Sequence, residues 1–274
     1  MLAGLPDPRR LTSKSNDLDL VFTRLLRSYK LDDPAPKPQL ALPVSAIKSS
    51  VLLPPNPSAK ASRLADLTTV AFYYLLRPGE YCMPSRRRRT RTVQFRRQDI
   101  RLWNGLDLIP HTAPMATLLA ATSATLTIDN QKNGQRGSTM HHYARVDDFC
   151  PVKALARIVS QLLSLTPEPN APISLFAVGQ HIISADVTAS LRQAAARTGL
   201  FNQGYHSKRI SAHSLRASGA MALKLGGASD STIKKAGRWS SDTWLTYIHS
   251  QIGALSSGLS ERMAVEHLFH NVGG

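Results

Sequence analysis

The chain has 274 residues, 42% of them apolar, which suffices for one large domain or two small ones with a real core. Lys and Arg number 34 against 18 acids, giving a net charge of +16. An excess of that size points to a polyanionic partner, nucleic acid before an anionic membrane surface. Two cysteines, Cys82 and Cys150, exclude a disulfide framework. Neither stands in a CxxC pair, which argues against a zinc ribbon, and His111, His141 and His142 lack metal-site spacing. The first residues lack the apolar core of a signal peptide, and no run reaches the roughly 18 apolar residues of a membrane span. A reducing intracellular location is the expectation.

In chain order, residues 15–30 read as an amphipathic helix, followed by the proline-rich linker from Asp32 to Pro38. Residues 45–53 read as a short helix, closed by Pro54-Pro55-Asn56-Pro57. Residues 61–76 are small and apolar and read as a buried helix that stops at Arg77-Pro78-Gly79. The period then changes. Residues 91–102 alternate as a strand or hairpin, and 124–129 and 138–143 read as two strands around the turn 130–137, which contains Asn133-Gly134. Helices are expected at 152–165, 185–198, 212–225, 229–236, 240–250 and 253–269. The fold class is therefore α+β, mostly α: a helical bundle with a small three-stranded antiparallel sheet. Residues 1–40 form a tail and 41–274 the main domain.

Metal-free chemistry on a phosphodiester needs a nucleophile, fixed cations for the non-bridging oxygens and an acid for the leaving oxygen. Arginine suits the oxygens, since its planar fork never loses charge. The chain offers His213-Ser214-Leu215-Arg216-Ala217-Ser218-Gly219, then Gly237-Arg238-Trp239, then Tyr247. On a helix, His213 and Arg216 share a face. Upstream, Arg77 and Glu80 follow a buried helix, and Lys132 lies on a hairpin turn. Any one of these motifs is unspecific; it is the ordered set that carries information.

That set resembles the tyrosine recombinase (phage integrase-like) family, over roughly residues 40–270. The flavour of residues 237–247 is similar to recombinases of eukaryotic mobile elements. The resemblance implies that Tyr247 is the nucleophile, forming a 3′-phosphotyrosine and freeing a 5′-hydroxyl. It implies that Arg77 and Arg216 hold the non-bridging oxygens, Lys132 protonates the leaving oxygen and His213 acts as acid/base or donor. Trp239 falls where many relatives carry histidine, and Glu80 orients its neighbours. Neither metal nor cofactor nor ATP is implied. The partners implied are double-stranded DNA and further copies of the chain, a tetramer on DNA joined through the C-terminal helix. The location implied is a nucleus in a eukaryote and otherwise the cytoplasm.

The chain departs from the family in four ways. Trp239 and Tyr247 are eight residues apart, about one fewer than in relatives. Pro78 directly follows the first arginine. Arg136 shares the hairpin loop with Lys132. About 40 residues precede the catalytic part, which reads as the remnant of a DNA-clamping domain or a tail. The arginine-rich stretch Arg86, Arg87, Arg88, Arg89, Arg91, Arg96 and Arg97 suits a phosphate-tracking surface. Three other readings compete: an inactive DNA-binding remnant of such a recombinase, a type IB topoisomerase and a basic RNA-binding module. The last predicts that the motif residues are scattered in space.

Overall fold

The structure is a computed structural model that describes residues 39–84, 92–128 and 138–245, with Val21, Thr23 and Arg24. The chain divides into two units, Met1–Lys37 and Pro38–Gly274. In the first, Val21, Thr23 and Arg24 are helical and exposed, inside the helix expected over 15–30.

Within the second unit, a short helix α1 (Val44–Ser50) precedes the central helix α2 (Ala59–Tyr73). Ser58 starts α2 by accepting a hydrogen bond from the Ala61 amide, at 3.2 Å. Arg63 to Phe72 are buried save Leu64, so α2 is covered on nearly all sides. Its charged groups are accordingly paired. Arg63 donates to the Ile173 carbonyl at 2.8 Å, and Asp66 receives Arg157 Nε at 2.8 Å. Burial pushes the Asp66 carboxyl up to about 6 even so, with Arg157 pulling the other way.

After the one-turn helix α3 (Pro78–Tyr81) the chain forms a 3-10 turn, Arg97–Asp99. Then come β1 (Ile100–Asn104), β2 (Asp107–Ile109), α4 (Met115–Leu119), β3 (Ser123–Ile128) and β4 (Ser138–Tyr143). The sheet is antiparallel in the order β2-β1-β3-β4. It has four strands rather than the three expected, and two local causes explain the difference. Asp99 accepts from the Arg96 amide at 2.8 Å and closes the 3-10 turn, so the strand begins only at Ile100. Gly105, at φ 60, then reverses the chain into β2, a strand too short for its alternation to be read. Ile100 faces Leu126 and Leu102 faces Ala124, all buried, which fixes the core side of the sheet.

Against this sheet pack α5 (Pro151–Leu165) and, through it, α2. A two-stranded ribbon not anticipated from the sequence, β5 (Leu175–Ala177) and β6 (Gln180–His181), leads into α6 (Ser184–Arg197). The last described helices are α7 (Ser214–Leu225) and α8 (Asp230–Gly237), followed by a 3-10 turn, Asp242–Trp244. The helices expected at 152–165, 185–198, 212–225 and 229–236 are thus present within two residues of their expected ends. The helix expected over 240–250 begins as the 3-10 turn, and its remainder, like 253–269 and the turn 130–137, falls outside the described residues.

A second core joins Ala41, Leu75, Ala217, Ala220, Met221, Ile233 and Trp244. It forms where the end of α2 crosses α7, at Gly219. A Cβ there would lie 2.5 Å from the Phe72 carbonyl oxygen and 3.2 Å from Leu75 Cγ. The small residues after Arg216 are therefore a packing requirement, one that sets the distance between the two helices. Gly219→Ala should destabilise the fold by about 2 kcal/mol, since backbone has to move to admit the methyl group; urea denaturation measures it.

Candidate active site

Both helices that frame the site end in the same way. At the end of α2, the Leu76 amide bonds to the Ala71 carbonyl at 3.0 Å and the Leu75 amide to that of Phe72 at 3.4 Å. At the end of α8, the Trp239 amide bonds to the Lys234 carbonyl at 3.0 Å and the Arg238 amide to that of Lys235 at 3.1 Å. These are Schellman caps, whose left-handed position normally takes glycine. Here it holds Leu75 at φ 48 and Arg238 at φ 58, the two non-glycine positive-φ residues among those described. Each costs about 1 kcal/mol of backbone strain. Such strain persists where the surroundings over-determine it, and it clusters at functional sites.

The two caps face each other. Arg238 Nη2 donates to the Leu75 carbonyl at 3.1 Å and to Glu80 Oε2 at 3.0 Å. The same Leu75 carbonyl also accepts from Arg216 Nη1, while Arg216 Nη2 donates to the Gly237 carbonyl. Arg77 completes the group. Glu80 accepts the Arg77 backbone amide at 2.8 Å and its Nη1 at 3.1 Å, capping α3. Arg77 and Arg238 thus both bond the Glu80 carboxylate, and Arg216 joins them through the Leu75 carbonyl that it shares with Arg238.

Burial sharpens the electrostatics of this cluster. Arg216 is 1% exposed and Glu80 1%, whereas the Arg77 side chain is 20% exposed and opens the cluster to solvent. Desolvation lowers the proton affinity of Arg238, with Glu80 opposing and Arg77 reinforcing. Arg238 Nε and Nη1 are buried and meet no hydrogen-bond partner among the described residues. A buried donor left without a partner costs about 1–3 kcal/mol. His213 belongs to the same group. Burial first, then the charges of Arg216 and Arg77, pushes its imidazole down to about 4, against a smaller upward pull from Glu80.

Trp239 lies over Arg216, with the guanidinium carbon 4.2 Å from the ring centroid. Its ring passes over Gly237 so closely that a Cβ there would sit 1.6 Å from the ring, which is why this position is glycine. Tyr81, next to Glu80, is buried and donates to the Ala212 carbonyl at 3.1 Å. Burial raises its phenol well above the ordinary value, and its hydrogen bond braces the segment that leads into α7.

The structure therefore brings Arg77, Glu80, His213, Arg216 and Trp239 together. Lys132 and Arg136, Arg86 to Arg91 and Tyr247 fall outside the described residues. Of the arginine-rich stretch, Arg96 pairs with Asp99 at 3.1 Å, and Arg97 is turned inward, 7% exposed, donating to the Pro167 carbonyl. Both serve to hold the turn before β1. The member of the site that the sequence did not disclose is Arg238. One signal pointed to it: the interval from Trp239 to Tyr247 is one residue short, and counting from Arg238 makes it nine.

Among solved structures, the chain is similar to the crystal structure of XerA recombinase, at 15% identity and a TM-score of 0.50, over 89% of this chain and 74% of that one. The fold is recombinase-like. No family model and no curated protein sequence matches the chain. No helix among the described residues is long and apolar enough to cross a membrane, and no metal-binding group of His, Cys, Asp and Glu occurs among them.

The depressed imidazole makes stability depend on pH. The unfolded chain takes up a proton on His213 near pH 6.5, the folded chain only near pH 4. The contribution of His213 is thus full above pH 6.5 and is lost as pH falls through that window. His213→Gln should flatten this part of the profile relative to the unsubstituted chain, as read by denaturation midpoints from pH 7.5 to pH 4.

Proposed function

We propose that this protein cleaves and rejoins DNA strands through a covalent 3′-phosphotyrosine on Tyr247. The observation that carries this reading is the convergence of Arg77, Arg216 and Arg238 with Glu80 and His213, in a chain of net charge +16. Guanidiniums fixed in a buried setting suit a phosphodiester, whose equatorial oxygens gain charge as phosphorus becomes five-coordinate. The recombinase-like fold and the order of the motifs support the same reading.

In this mechanism the Tyr247 oxygen attacks phosphorus, its proton leaves to a base, and the bond from phosphorus to the 5′ oxygen breaks. Lys132 gives the leaving oxygen its proton. The reverse attack by a 5′-hydroxyl of another strand reseals the backbone and frees the tyrosine. One phosphoester replaces another at each step, so neither ATP nor a metal is required. Burial first, and then the charges of Arg216 and Arg77, hold His213 neutral. An anion among those cations raises its proton affinity, so arrival of the phosphodiester moves His213 toward a donor. Strand exchange uses several copies of the chain on duplex DNA, a tetramer joined through residues 253–269.

A nicked suicide DNA substrate tests the proposal. The chain should form an adduct that survives denaturation. The adduct should be absent in Tyr247→Phe and reduced at least a hundredfold in Arg77→Ala, while Arg77→Ala still binds DNA in gel shift. Retained binding with no adduct in the unsubstituted chain would make it a DNA-binding remnant. An adduct that persists in Tyr247→Phe would refute the nucleophile.

A further inference from the structure

The four-stranded sheet has a second face, and the arginine cluster makes no use of it. Side chains alternate along a strand, so with Ile100, Leu102, Ala124 and Leu126 buried in the core, their neighbours point the other way. The register sets Arg101, Thr125 and His141 in one cross-strand row and Trp103, Ser123 and Tyr143 in the next. Leu108 of β2 lies beside Trp103. Arg101 and His141 are exposed, and Tyr143 is 74% exposed. These side chains are tied into one surface. Trp103 Nε1 donates to Thr125 Oγ1 at 2.9 Å, a diagonal neighbour rather than the partner in register, so the indole lies over β3. The Thr125 hydroxyl is 3.4 Å from His141 Nδ1, and the His141 ring meets Tyr143 edge to face at 4.8 Å. Indole, imidazole and phenol are thus linked across three strands before any ligand arrives, which lowers the ordering cost of binding.

Charge selects the partner. The one acid in the four strands, Asp107, alternates to the side of the buried Ile109, so these strands put no carboxylate on the outer face, while Arg101 adds a cation. Rings interleaved with a cation and hydroxyls, in a chain of net charge +16, suit nucleic acid. Aromatic rings gain from bases only where the bases are unstacked, so a single strand fits and a duplex does not. β3 and β4 flank the segment carrying Lys132, which the reaction proposed above brings to DNA, and the strand within reach is then DNA. We infer that the outer face of the sheet is a docking surface for single-stranded DNA, on which unpaired bases stack against Trp103, His141 and Tyr143 while Arg101 meets a phosphate. The inference takes its DNA partner from the function proposed above but does not need the reaction. Two strand spacings separate β1 from β4, roughly 10 Å, and four residues separate Thr139 from Tyr143, roughly 14 Å. Aromatic sheet faces of this kind stack about two or three bases. Every base has a ring face, so binding here has little sequence preference.

Fluorescence anisotropy of the full chain with a labelled oligothymidylate of about twelve nucleotides tests the inference. The comparison is an abasic strand of the same length, which keeps the phosphates and lacks the bases. The unsubstituted chain should prefer the oligothymidylate at least fivefold. Tyr143→Ser should abolish that preference and His141→Ser should reduce it, with duplex binding unchanged within twofold in both. Val178→Ser, at an exposed apolar position on the turn between β5 and β6, should behave as the unsubstituted chain. Thermal midpoints establish that each variant is folded, and if Tyr143→Ser does not fold, His141→Ser decides. The inference is overturned if the two strands bind equally, or if the folded variants keep the full preference. Tighter binding of oligouridylate would assign the face to RNA, and a change in self-association alone, read by sedimentation, would make it a contact between copies; either result overturns the inference. Tyr247→Phe should leave the preference intact. A chain that forms no DNA adduct yet discriminates the two strands therefore loses the proposed reaction and keeps this surface, whereas an adduct without the preference rejects this surface alone.

Discussion

A single carbonyl oxygen, that of Leu75, receives two guanidiniums, and the geometry of the site follows from it. Two like charges meet at one acceptor only if the backbone is forced to offer it and a carboxylate lies close by. The left-handed turn at Leu75 does the first, and Glu80 does the second. Neither residue can be placed alone. Leu75 is set by the crossing of α2 and α7 over Gly219, and Glu80 by the one-turn helix that Pro78 starts. Arg238 in turn is set by the cap of α8. The site is therefore an intersection of helix ends, where unpaired backbone groups and strain are concentrated.

Such an arrangement favours fixed charge over mobile charge. Arg216 is held by two carbonyls and an indole face, so its orientation is settled before any ligand arrives. Preorganised charge of this kind acts without reorganisation at the moment of reaction. Arg77 differs, being partly exposed and tied chiefly to Glu80 at the edge of the cluster. The site thus grades from a rigid interior to a more accessible rim. A polymer backbone, which approaches from one side and is not engulfed, fits that gradient better than a small molecule does.

Much of the fold was legible because its helices announce their ends. Ser58, Pro151 and Ser229 stand at N-termini and the apolar period runs true between them. The pair Arg77 and Glu80 was legible from its place in the ordered motif set, and the structure adds that its three-residue spacing is what a capping carboxylate needs. The second hairpin strand was not, because three residues with Leu106 and Leu108 exposed give no pattern. Arg238 escaped for a different reason. An arginine beside a tryptophan reads as surface, and nothing in a sequence marks a left-handed cap that lacks glycine. Trp239, the louder residue, drew attention to the neighbouring position. Arg96 and Arg97 show the converse error, in which a dense basic run was read as one surface although two of its members stabilise a turn.

Trp244 is 1% exposed and lies in the same small core as Leu75 and Ala217. Only three peptide links separate it from Tyr247, and three extended residues span at most about 11 Å. In the reaction proposed above, the backbone of the nucleophile would therefore start within that reach of a side chain sunk in the core beside Leu75. A reach longer than that would require Trp244 to be drawn out of the core, so the packing of one indole bounds how far the proposed chemistry can stray from α8.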